Sequence, residues 1–339
     1  MAAHAVITPL LESPLLNARL SGRLLVKAEP LQHTGSFKFR GAFNRMSLIP
    51  EGERHRGVVG YSSGNHAQGV AAAARALGMK ATLVMPADAP AIKVASTRAW
   101  GADVVLYDRW TESREAIGQR IAADTGATLV KPYDDPGIIA GQGTVGLELA
   151  AQSAAMGAMP DAVVAPASGG GLAAGTALAV RHRLPSATIH SAEPAGFDDL
   201  ARSLATGRRL ANAPGARSIC DALMAAEPGE LTFTINRQEL AGGVAVSDDE
   251  ARLAMAVAFY YLKIVVEPGG AVALAAALTG KVAVKGRTVV VVASGGNVDT
   301  KTFREAMMVT KLPISTNFFQ IERGNSEEKL EDGSVLSSP

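Results

Sequence analysis

The sequence holds a single cysteine, Cys220, which excludes an internal disulfide and suits a reducing compartment. Cys220 itself reads as a small core residue. Aromatic residues make up only 5% of the chain, too few for the stacking platforms of single-strand nucleic-acid binders. Neither sign of charge dominates: 33 Lys and Arg face 32 Asp and Glu, a formal net charge of +1. A broad positive field for nucleic acid or an anionic membrane is thereby excluded. Six histidines give no zinc spacing. No apolar run is long enough to cross a bilayer, and MAAHAVITPLLESP lacks the basic and apolar regions of a secretory signal. The expectation is a cytoplasmic protein with no nucleic-acid or membrane partner.

What the chain does have is length and glycine. Its 339 residues include 35 glycines, with 47% hydrophobic and 19% charged residues. That length suits two domains, each with a core. Strand and helix patterns alternate through VVGYS–SSGNHAQGVAAAARALG, KATLVMP–APAIKVASTRAWG and ADVVLYD–TESREAIGQRIAADTG, closing with TLVKPY. This reads as a small parallel α/β unit. RLLVKA, DAVVAPA, TIHSAEP and TVVVVASGG supply strands for a second, larger parallel sheet. The expected fold is α/β, two open twisted parallel sheets with a cleft between them. Residues 1–52 and 135–320 make the large unit, 53–134 an inserted small one, and 321–339 a polar, disordered tail.

Small polar residues gather at strand-to-helix junctions. SGGGLAAG at 168–175 follows AVVAPA and opens a helix. Its N–H groups form either a phosphate nest or a tight turn against a neighbour. It lacks the lysine and serine of a nucleoside-triphosphate loop. SSGNHAQG at 62–69 sets Ser62, Ser63, Asn65 and His66 at a helix start, as a carboxylate cradle or a capping cluster. SGGNVD at 294–299 ends the most apolar strand, where open sheets bind ligands, and presents Ser294. GQGTVG at 141–146 matches G-x-G-x-x-G but follows no strand, so helix packing by small residues is the better reading. Lys38 lies in SFKFRGA, at the start of a helical pattern with Ser36 as its expected cap. A phosphate cradle, a carboxylate cradle and one lysine together point to pyridoxal phosphate and an amino-acid substrate.

These segments, together with EPGGAVALAA at 267–276, resemble the fold type II pyridoxal-phosphate enzymes in their serine/threonine dehydratase and serine racemase branch. The resemblance covers residues 5–315 and implies a tryptophan synthase beta-like fold. It implies that Lys38 carries the cofactor as a Schiff base, between Phe37 and Phe39, with Phe37 against the ring. Asn65 would hydrogen-bond the ring's 3′ oxygen. Ser168, Gly169, Gly170, Gly171 and Leu172 would cradle the phosphate, although many relatives carry a fourth glycine in place of Ser168. Ser294 would face the pyridine nitrogen, and a hydroxyl there makes a milder electron sink that favours β-elimination. Ser63 would stand on the face opposite the lysine, which also permits racemisation. EPAGFDD at 193–199 resembles the branch's divalent-cation site. Glu193, Asp199 and the Phe197 carbonyl would hold Mg²⁺ or Mn²⁺, whereas the residues alone also fit a solvated acidic turn. A homodimer acting on a small amino acid is the expected assembly.

Substrate choice turns on Arg114, in TESREAIGQR. Ser62, Ser63, Asn65 and His66 would take the α-amino acid end. In racemase-like relatives an arginine matching Arg114 contacts dicarboxylates. The alternative is a solvated arginine paired with Glu115. With Arg114 in the site, the resemblance favours 3-hydroxyaspartate, eliminated to oxaloacetate and ammonia. Threonine or serine dehydration, and serine or aspartate racemisation, are the alternatives.

Overall fold

A computed structural model describes residues 4–308, so the tail expected at 321–339 lies outside the described residues. One sheet contains β1 (Leu10–Glu12), β2 (Arg23–Ala28), β7 (Ala162–Pro166), β8 (Thr188–Pro194), β9 (Gly242–Val246) and β10 (Thr288–Ala293), in the order β1-β2-β10-β7-β8-β9. The other contains β3 (Val58–Tyr61), β4 (Ala81–Pro86), β5 (Asp103–Tyr107) and β6 (Thr128–Val130), in the order β5-β4-β3-β6. The helices are α1 (Pro14–Leu20), α2 (Lys38–Ser47), α3 (Asn65–Ala76), α4 (Ala91–Ala99), α5 (Arg114–Thr125), α6 (Pro136–Ala155), α7 (Gly171–Arg183), α8 (Asp199–Thr206), α9 (Glu230–Glu239), α10 (Asp248–Val257), α11 (Pro268–Leu278) and α12 (Thr300–Met307).

The valine run of β10 explains its position. It pairs in parallel with β2 on one side and β7 on the other, and Val289 to Ala293 are fully buried. A central parallel strand is covered on both faces and has no polar side. One edge departs from expectation: β1 runs antiparallel to β2, so the larger sheet is mixed. A three-residue strand is too short to carry a periodic signal.

Helix α2 joins the two sheets. Phe39, Phe43 and Met46 share a core with Val58, Val70 and Leu83 of the smaller sheet's side. Its other face meets a buried ionic network. The Arg40 guanidinium donates to Glu29 at 2.8 Å and to Glu148 at 2.6 Å, and the Lys27 amine donates to Glu148 at 2.7 Å. Lys27 also reaches the Thr8 carbonyl at 2.6 Å. Burying such ions costs heavily unless every partner is present, so the network fixes α2 in one place. The GQGTVG segment is helical, within α6. A Cβ on Gly146 would lie 2.7 Å from the Thr176 carbonyl of α7, which is why this helix contact needs glycine.

Candidate active site

The loops after β3, β4, β5, β6, β7 and β10 converge on one cleft, with about 1070 Å³ of empty space including its mouth. This is where open parallel sheets bind ligands. Phe37, Lys38, Ser62, Ser63, Asn65, His66, the 168–172 run and Ser294 all line it, and the Phe37 amide donates to the Ser294 carbonyl at 3.1 Å. Arg114 reaches it from α5.

Lys38 is the first residue of α2. Its amine donates to the Pro132 carbonyl at 2.8 Å and lies 5.2 Å from the centre of the Phe37 ring. Burial, and then the positive charge of Arg114, lower its pKa to about 8. Near neutral pH the amine is still mostly a cation, but its neutral fraction is far larger than that of an exposed lysine. Phe39 does not flank the lysine as expected. It is buried in the core, its ring edge-on to His33 at 4.9 Å. Phe39 points about 100° further round the helix than Lys38, which turns its ring into the core. Ser36 is not the cap either. The N-cap is Phe37, without a side-chain bond, while Ser36 is extended and bridges Gly295 at the end of β10.

At the end of β3 the Ser62 hydroxyl accepts from the Gly64 amide at 3.1 Å, and α3 begins at Asn65. The Asn65 amide is held from two sides. It donates to Glu267 and accepts from Asn297 at 2.9 Å. Glu267 pairs in turn with Lys93. His66 is buried and pushed down to about 3 by desolvation and then by Lys38, so its imidazole is neutral. Its Nε2 lies 3.0 Å from the Val130 carbonyl, which requires the proton on that nitrogen.

After β7, Gly170 is left-handed at φ 89 and Gly171 opens α7. A Cβ on Gly169 would run into the Tyr133 ring, and one on Gly170 would lie 2.7 Å from the Asn236 amide. Only glycine allows this bare turn of N–H groups, and it fits a phosphate. The Ser168 hydroxyl accepts from the Ala225 amide at 3.0 Å, which leaves its proton for donation. Ser294 lies just beyond β10 and is 5% exposed. The amine of Lys38, the Phe37 ring, the glycine turn and this neutral hydroxyl are a donor set that fits pyridoxal phosphate.

Arg114 both lines the cleft and is ion-paired. Its guanidinium pairs with Glu115 at 2.8 Å, lies 5.6 Å from the centre of the Tyr61 ring, and lines the cleft. Tyr61, Tyr107, Tyr133 and Arg109 also line the cleft, and the sequence reading missed them. Two of them end strands, Tyr61 in β3 and Tyr107 in β5, and strand-end position was the available signal.

Glu193, Phe197 and Asp199 are buried away from this cleft. Glu193 accepts from the amides of Leu200 at 3.0 Å and Ala201 at 2.7 Å. Asp199 accepts from Asn212 at 2.6 Å, while its second carboxylate oxygen is buried without a hydrogen bond. Burial, and then Asp199, push the Glu193 carboxyl well up; burial pushes Asp199 up to about 6. Among the described residues no group of three or more His, Cys, Asp or Glu gathers as a metal cluster. Nor is any helix among them long and apolar enough to cross a membrane.

Residues 2–295 match the family model described as pyridoxal-phosphate dependent enzyme. The L-threo-3-hydroxyaspartate ammonia-lyase of Pseudomonas sp is 44% identical over 296 residues, spanning 87% of this chain and 91% of that protein. A threonine deaminase from T.th. is similar in structure, with a TM-score of 0.82 and 45% identity over 88% of this chain and 95% of that one. Maize serine racemase has a TM-score of 0.84 and 38% identity, covering 90% and 93%. The chain belongs to the pyridoxal-phosphate-dependent enzymes of fold type II, the family of threonine and serine dehydratases, serine racemases and hydroxyaspartate ammonia-lyases.

Proposed function

We propose that the chain is a 3-hydroxyaspartate ammonia-lyase, eliminating water from its substrate to give oxaloacetate and ammonia. The observation that carries this reading is Arg114, a guanidinium in the cleft that holds Lys38 and the glycine turn. A planar guanidinium there suits a second carboxylate by a two-pronged, charge-assisted bond. The hydroxyaspartate ammonia-lyase similarity supports the same choice.

When bound, pyridoxal phosphate supplies the electron sink that acidifies the substrate's α-carbon. Lys38 would attach it, Phe37 would pack against it, Asn65 and Ser294 would bond its ring oxygen and nitrogen, and the 168–172 turn would take the phosphate. Ser62 and the first amides of α3 would receive the α-carboxylate. The neutral Lys38 amine then takes the α-proton, and the same nitrogen, now ammonium, protonates the departing β-hydroxyl. One C–H and one C–O bond break, and water leaves. The enamine product hydrolyses to oxaloacetate and ammonia. The neutral imidazole of His66 adds no competing positive charge.

Ser63 favours a second reading. It lines the same cleft as Lys38, and a second proton carrier there supports racemisation of serine or aspartate alongside elimination. A panel of hydroxyaspartate isomers, threonine and serine, each assayed for 2-oxo acid release, tests the main reading. The expected result is a preference for one hydroxyaspartate isomer by kcat/KM; higher kcat/KM on threonine or serine overturns it.

Glu193, Asp199 and the Phe197 carbonyl are the proposed site for Mg²⁺ or Mn²⁺. Two carboxyls held above their usual pKa and an unbonded buried oxygen at Asp199 fit a hard cation, which would lower both pKa values. Treatment with EDTA is expected to lower Tm, and added Mg²⁺ to restore it. An unchanged Tm in both arms removes the cation from the account.

A further inference from the structure

The segment between β6 and α6 forms a strap along the cleft wall, which Pro132 and Tyr133 line, and consecutive residues of it are tied to different elements. The Pro132 carbonyl accepts from the Lys38 amine at 2.8 Å. The Tyr133 ring lies on Gly169, and its backbone packs on Gly171. One carboxylate oxygen of Asp134 accepts from the amides of Leu231 at 2.9 Å and Thr232 at 3.2 Å, at the start of α9. Asp135 caps α6, accepting from the Ile138 amide at 3.1 Å, and pairs with Arg45 at 2.9 Å.

Helix α9 has a second set of bonds, and these reach the glycine turn from beneath. The Thr232 hydroxyl donates to the Gly169 carbonyl at 2.6 Å, and the Asn236 amide donates to the Gly170 carbonyl at 3.1 Å. Thr232 and Asn236 are fully buried. One short helix therefore holds the phosphate cradle with its side chains and the strap over Lys38 with its first amides. A negative carboxylate on those amides is also favoured by the helix dipole.

We propose that Asp134 is a positioning residue: by binding the start of α9 it fixes the strap, and through Pro132 and Tyr133 it sets where the Lys38 amine stands relative to the phosphate cradle. Asp134 does not line the cleft, so it acts through these neighbours. The proposal rests on the reading that Lys38 attaches the cofactor.

The test uses the full chain stripped of cofactor. Affinity for pyridoxal phosphate is read by absorbance titration, and cradle integrity by the rise in Tm with inorganic phosphate. Asp134→Ala is expected to weaken pyridoxal phosphate binding about tenfold, the loss of a charge-assisted bond, while the phosphate effect on Tm persists. Asp134→Asn keeps the accepting oxygen and is expected to restore most of the affinity. Thr232→Val is expected to do the reverse of the alanine change, abolishing the phosphate effect first. Unchanged pyridoxal phosphate affinity in Asp134→Ala overturns the proposal. So does an equal loss of the phosphate effect, since Asp134 would then be a fold-wide support. Should the alanine variant fail to fold, Asp134→Ser, whose hydroxyl is one bond shorter and falls short of the α9 amides, keeps a polar side chain and is read the same way. A Schiff base that still forms in Lys38→Ala would overturn the lysine reading, and the proposal that rests on it, whatever the Asp134 variants do.

Discussion

Lys38→Ala leaves a protein with no visible Schiff-base absorption and with kcat/KM lowered by about a thousandfold or more. General base catalysis alone is worth roughly 10² to 10⁴-fold, and on the proposed reading the lysine also forms the attachment. A second expectation separates this from unfolding. The amine titrates near 10.5 in an unfolded chain and near 8 in the fold, chiefly because it is buried. Between those values the unfolded chain binds more protons, so the cofactor-stripped protein gains stability as pH rises from about 8 toward 10.5. Below that window the buried cation is a burden, and alanine removes it. Stripped Lys38→Ala should therefore melt at or above the wild-type temperature at pH 7, with the gap narrowing as pH rises. An inactive variant that melts well below wild type would mean the fold was damaged. A variant that keeps its absorption would remove Lys38 from the chemistry.

Arg114→Ala lowers kcat/KM on hydroxyaspartate by about a hundredfold and changes serine turnover by only a few-fold. The difference matters more than either number. Arg114 sits beside Tyr61 and keeps Glu115 as a partner, so its loss removes a charge from the cleft wall without opening the core. Serine has no second carboxylate to miss it. Arg114→Lys should fall between the two, since an ammonium keeps the charge but loses the planar fork. Equal losses on both substrates would mean the arginine supports the cleft generally, through its effect on Lys38, and the dicarboxylate reading would fail.

Much of this cleft was legible in the sequence because its parts are local. The 168–172 turn, the SSGN turn and Ser294 each combine a strand, a bend and a helix start within a few residues, and that is written in neighbouring letters. The valine run of β10 likewise announced a central strand. Other features depend on residues far apart. Nothing around Asp134 signals that it reaches Leu231 and Thr232, and nothing around Thr232 signals Gly169. The fates of Ser36 and Phe39 were misread because the helix starts one residue later than its composition suggests. Strand β9 and helix α10 escaped notice, although Ser247 and Glu250 form a capping box that spells the start of α10.

The placement of β10 has a consequence for a chain emerging from the ribosome. Strands β2 and β7 do not pair with each other; each waits for β10, which is made after both. Until Thr288–Ala293 arrives, the larger sheet is two separate pieces with open inner edges. Ser294 and the Ser36–Gly295 bridge that seats the turn before Lys38 follow directly behind it. A nascent chain thus cannot complete its cleft before β10 is made, and until then these edges remain a place for helper proteins or for misassociation.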